Sequence, residues 1–99
     1  MAEFMVTAAS LVSKASELEG LNSNFKSQIE KLSADEQALS GMWEGEARNA
    51  FHNAFEHDKA EMYEFYNAVV SYINAMNEIA KKYAQAEAAN VETANTRKY

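Results

Sequence analysis

Gly41-Met42-Trp43-Glu44-Gly45 interrupts a chain that otherwise reads as helix from end to end. The stretch holds the only tryptophan and two of the three glycines, so this is where the backbone is asked to turn. Outward from it run two arms with no proline in either, rich in Ala, Glu, Lys, Asn and Ser. That composition removes the usual breakers and favours two long uninterrupted helices.

On the N-terminal side, steps of four and three pick out Phe4, Ala8, Leu11, Ala15, Leu18, Asn22, Phe25, Ile29, Leu32, Glu36 and Leu39. This is a heptad seam. It keeps its phase through Gly20-Leu21-Asn22-Ser23-Asn24, a cluster of poor helix formers, which predicts one continuous helix with Gly20 on its outer face. Asn22 and Glu36 are polar seam residues; either they are buried and fix register, or they sit at the edge and reach water. Ser40 and Gly41 end the arm, with Gly41 expected just past the helix in a positive-φ conformation. Glu44 and Glu46 fall at the start of the next helix, where negative charge complements the dipole.

The second arm repeats the heptad with Phe51, Phe55, Asp58, Met62, Phe65, Val69, Tyr72, Met76, Ile79, Tyr83, Ala86 and Asn90. A short turn makes the arms antiparallel neighbours. Folding about residues 40–45 makes the numbers of opposed residues add to roughly 85. Glu36 is then expected near Arg48, Ile29 near Phe55, Leu18 near Phe65, and Leu11 near Tyr72 and Met76. A second apolar stripe, Tyr63, Tyr66, Val70, Ile73 and Ala80, widens the apolar arc beyond what one facing helix covers. The expected fold is therefore all-α: an antiparallel helical hairpin that dimerises into a four-helix bundle. Its interface would centre on Met62, Tyr63, Phe65, Tyr66, Val69, Val70 and Ile73. Residues 1–99 form a single domain, with helix 1 about 4–39, a turn at 40–45, helix 2 about 46–89 and a polar, flexible tail at 90–99.

The formal charge of −6 and the lack of a Lys/Arg patch argue against a nucleic-acid partner. No cysteine is present, hence no disulfide, thiolate nucleophile or thiolate metal site. The N-terminus carries Glu3 where a secretory signal would be basic, and no apolar run long enough to span a membrane follows. Catalysis would need convergent groups, and none stands out. His52 with Glu56 and His57 with Glu61 are i,i+4 pairs read as surface hydrogen bonds rather than metal ligands. The Glu-x-x-His pattern of di-iron bundles is missing, and Asp58 has no second acid on its phase. The reading is a protein without catalytic, cofactor or metal residues.

Trp43-Glu44-Gly45 between two amphipathic arms in about one hundred residues resembles the WXG family of small secreted proteins, the ESAT-like group of type VII secretion. Leu39, Ala47 and Phe51 follow the family's apolar pattern around the turn. The family's second mark, a tyrosine followed four residues later by an acid, is matched by Tyr83 and Glu87. The resemblance implies a non-enzymatic substrate, effector or partner of a type VII secretion system, exported as a folded dimer without a cleaved signal peptide and found outside the cell or at its surface. Its partners would be a second copy or a paralogous chain, and the secretion ATPase. Trp43 and Gly45 would form the turn motif, and Tyr83 and Glu87 the export signal. The alternative is an intracellular helical adaptor or chaperone-like protein that uses the same apolar arc.

Overall fold

The computed structural model describes residues 7–96, with side-chain surroundings as far as Ala89. They form an all-α helical hairpin of α1, Ala8–Gly41, and α2, Glu46–Thr96, with no strand among the described residues. α1 passes through Gly20 unbroken, and Gly20 is exposed. The described part of the first helix begins at Ala8; the expected start near Phe4 lies outside the described residues. Thr7 is its N-cap: its Oγ1 accepts the Ser10 N–H at 3.0 Å, and Ser10 Oγ accepts the Thr7 N–H at 3.0 Å. This reciprocal box satisfies donors a helix start would otherwise leave open. At the other end α2 continues to Thr96 instead of giving way to a tail at Asn90, since no glycine or proline follows Gly45 to stop it.

The turn uses its glycines differently from expectation. Gly41 is the last residue of α1, and the helix closes with Met42 N–H to Leu39 C=O at 3.0 Å and Trp43 N–H to Ser40 C=O at 3.4 Å, the i−3 spacing of a tightened last turn. Positive φ falls on Gly45, at 106°. The Gly45 carbonyl accepts the Asn49 N–H at 3.2 Å, the first bond of α2, so Gly45 is its N-cap. A Cβ there would meet nothing within 4 Å, which leaves backbone conformation as the sole penalty. Gly45→Ala is therefore expected to destabilise by about 1–3 kcal/mol. Gly41→Ala, at an open helical position, should be neutral or stabilising; urea midpoints of the two variants check the contrast.

Two compact units share the helices, one comprising Gly20–Val70 and the other Met1–Glu19 with Ser71–Tyr99. In the turn-end unit, α1 turns Asn22, Phe25, Ile29, Ser33, Glu36 and Ser40 inward, and α2 answers with Arg48, His52, Phe55, Lys59, Met62 and Tyr66. The seam keeps its expected phase to Ile29 and then takes a step of four, so Ser33 and Ser40 replace Leu32 and Leu39, which are exposed. Polar residues on α2 account for the exchange: Lys59, His52 and Arg48 find oxygen partners on Ser33, Glu36 and Ser40. In the terminal unit the inward residues are Ala8, Leu11, Ala15 and Leu18 with Ile73, Met76 and Ala80.

Along α2 the column 52, 59, 66, 73, 80 thus faces inward beside Phe55, Met62, Val69 and Met76 of the expected seam, whereas Phe51, Asp58, Phe65, Tyr72 and Ile79 of that seam are exposed. Ile73 and Ala80 are slimmer than Tyr72 and Ile79 and let the helices approach closely. Opposed residues add to 88 rather than 85: Ser40 with Arg48, Glu36 with His52 and Asn22 with Tyr66. The turn occupies 42–45, not 40–45, and that displacement of its centre accounts for most of the change. Glu36 consequently meets His52, and Phe65 meets Phe25 rather than Leu18.

Candidate functional site

At the turn, the Trp43 ring packs on Phe51 with centroids 5.7 Å apart and planes tilted by 50°. This contact, from just before the N-cap to the second turn of α2, fixes the angle at which the chain enters the helix. Trp43 remains 37% exposed and Met42 80% exposed. Beside them Leu32, Leu39, Phe51 and Phe55 line a shallow apolar cleft with Asp35 and Glu36. Trp43 therefore closes against the flank of α2 and presents an edge to solvent. Arg48 reaches back from α2, its Nε donating to the Ser40 carbonyl at 3.4 Å, and sets a positive charge against the C-terminal end of α1. The last turn of α1 has no basic residue of its own.

Beneath the cleft runs a polar column. Glu36 is 5% exposed, and its Oε1 and Oε2 lie 3.1 and 3.0 Å from His52 Nδ1. Only an Nδ1–H satisfies an ionised carboxylate there. Lys59 Nζ stands 3.3 Å from Ser33 Oγ and 3.4 Å from Glu56 Oε1. Asn22 is buried, and its Nδ2 donates to the Tyr66 carbonyl at 3.1 Å. Both polar seam residues are thus internal. Such pairs contribute less to net stability than to register, because any slip strands a buried polar group.

The residues expected at a dimer interface divide between inside and outside. Phe65 and Val70 are exposed, Met62, Tyr63, Tyr66 and Val69 are half-buried, and Ile73 is buried within the chain. Three strongly apolar outward residues were assigned to the seam instead: Phe51, Tyr72 and Ile79. Their spacing from Phe65 in multiples of seven was the available signal, because two adjacent columns of α2 carry the same period. Phe65 and Tyr72 are 60% and 63% exposed, too much apolar area to be incidental.

Tyr83 and Glu87 lie one turn apart on α2, and residues 81–89 are all exposed. The start of α1 reaches this part of α2: Ala8, Ala9 and Val12 line one groove with Ala80, Lys81 and Ala84. Ring and carboxylate share one accessible face. No helix among the described residues is long and apolar enough to cross a membrane.

Two crystal structures have this architecture, both of the secreted protein EsxB from Bacillus anthracis str. Sterne, one wild-type and one a glutamate-to-glutamine mutant. Each is 26% identical, with a TM-score of 0.73 over 84% of this chain and 89% of that chain. No curated protein matches. The family model for proteins of 100 residues with WXG matches residues 3–88, and the hairpin folds about Trp43 and Gly45. The chain belongs to the WXG100 family, the small proteins associated with type VII secretion.

Proposed function

We propose that this protein is a non-enzymatic substrate or effector of a type VII secretion system, exported as a folded dimer without cleavage of a signal peptide. The family match over residues 3–88 carries the reading. WXG100 proteins form dimers with paralogous partners, and the EsxB structures are of a secreted protein. For this chain a homodimer is the simpler assembly, since its outward column is apolar along its length apart from Asp58. Tyr83 and Glu87, exposed on one face, suit recognition by the secretion ATPase, with Trp43 and Gly45 forming the turn motif.

Deleting the secretion ATPase in the native host should retain the protein inside the cells; undiminished extracellular protein refutes the reading. Tyr83→Ala should reduce export to a small fraction of wild type. Its melting temperature should hardly move, since an exposed substitution of this kind changes stability by within about 0.5 kcal/mol. The same apolar column also suits an intracellular adaptor. Stoichiometric co-purification of an unrelated chain, with no extracellular pool, would favour that second reading.

A further inference from the structure

We propose that Glu36, His52 and Glu56 form a binding site for a divalent transition-metal cation of the Zn2+ class. On α2 alone His52 and Glu56 are an ordinary i,i+4 pair, two donors that hold nothing firmly. The observed register adds a third donor from α1 by placing Glu36 opposite His52. One ligand atom from each residue lies within 4.8 Å of the other two. Donors around a tetrahedral cation at 2.0–2.2 Å stand roughly 3.3–3.5 Å apart, so the trio needs a contraction of up to about 1.5 Å. Glu36 and His52 already meet at 3.0 Å, and the movement falls to Glu56, whose side chain is 45% exposed and free to rotate.

The donor set selects the ion. One imidazole nitrogen and two carboxylates suit a borderline cation, whereas Ca2+ and Mg2+ require more oxygen ligands. Glu36 supplies a buried carboxylate, which is costly to keep charged without a compensating cation. Ser40, one turn further along the same inward column, keeps a buried hydroxyl oxygen without a hydrogen-bond partner among the described residues. His52, with a side chain 32% exposed, and Glu56 leave the cluster open to solvent on one side. Binding through His52 Nδ1 replaces its hydrogen bond to Glu36, with the ring proton carried on Nε2 instead, and displaces the Lys59 ammonium from Glu56. A second group, His57, Asp58 and Glu61, lies wholly exposed on α2 and serves as the control.

The test is calorimetric titration of Zn2+ into the full chain, with helicity followed by circular dichroism. Wild type is expected to bind one ion per chain. His52→Ala and Glu56→Gln should each weaken binding by about tenfold or more, and His57→Ala should leave it unchanged. Lys59→Met should tighten it, because the competing ammonium is gone; a purely structural ion-pair network gives no such gain. If His52→Ala unfolds, Glu56→Gln at its exposed position decides. Absence of saturable binding, affinity unaltered in Glu56→Gln, loss of binding in His57→Ala, or no tightening in Lys59→Met each overturns the site. The experiment is independent of export, so its failure leaves the secretion reading standing.

Discussion

Tyr72→Asp combined with Ile79→Asp is expected to convert the proposed dimer to a monomer in sedimentation while leaving helix content unchanged. The two side chains lie seven residues apart on the outward column of α2 and are 63% and 48% exposed within the chain. Neither belongs to an aromatic pair such as Phe65 with Phe25 or Phe51 with Trp43, so the hairpin loses little when they change. Burying an aromatic and an isoleucine against a second molecule is worth about 1.5–3 kcal/mol each, and two carboxylates in their place add a desolvation cost. The dissociation constant should rise by about a hundredfold or more. Tyr72→Phe, which keeps the ring, should leave the dimer intact. Ile73 provides the complementary control. Being buried inside the chain, Ile73→Ala should lower the melting temperature without this loss of association. A double variant that still sediments as wild type would remove the outward column from the interface.

Ile73 and Tyr72 also show where the sequence stops determining the structure. The two helices, their pairing and the turn could be read from the absence of proline, the heptads and the glycines around Trp43. On α1 the seam was legible to Ile29, because Leu11, Ala15, Leu18, Phe25 and Ile29 have no apolar rival column beside them. On α2 they do. The columns through Phe65, Tyr72 and Ile79 and through Tyr66, Ile73 and Ala80 share one period, and each contains a single charged interruption, Asp58 or Lys59. Periodicity cannot separate them; the choice depends on how closely the facing helix can approach and on which charge finds an internal oxygen, as Lys59 does on Ser33. The reciprocal cap of Thr7 and Ser10 is a pairing that apolar periodicity alone does not reveal. Glu36 was legible as a seam residue needing a partner. Its partner was misplaced by one turn because the turn's centre was.

The change of phase after Ile29 carries the largest stability prediction. Ile29→Ala should destabilise the protein by about 2–4 kcal/mol, lowering its melting temperature by roughly 10–25 °C for a chain of this size. Ile29 is 2% exposed and is the one buried aliphatic residue in the turn-end unit among the described residues. On the inward face of α1 it stands between Phe25 and Ser33, so one side of the space it leaves borders a hydroxyl rather than an apolar side chain that could fill it. Leu39→Ala deletes more of a side chain than Ile29→Val would, yet Leu39 is 43% exposed and its loss should cost well under half as much. A regular heptad predicts instead that Leu32 and Leu39 are as costly to truncate as Ile29. Measuring the melting temperatures at one fixed protein concentration keeps dimer dissociation from entering the comparison. Equal losses for Ile29→Ala and Leu39→Ala would mean that Ser33 and Ser40 do not face inward. The contact of Glu36 with His52 would then fall with them, and with it the geometry on which the metal site stands.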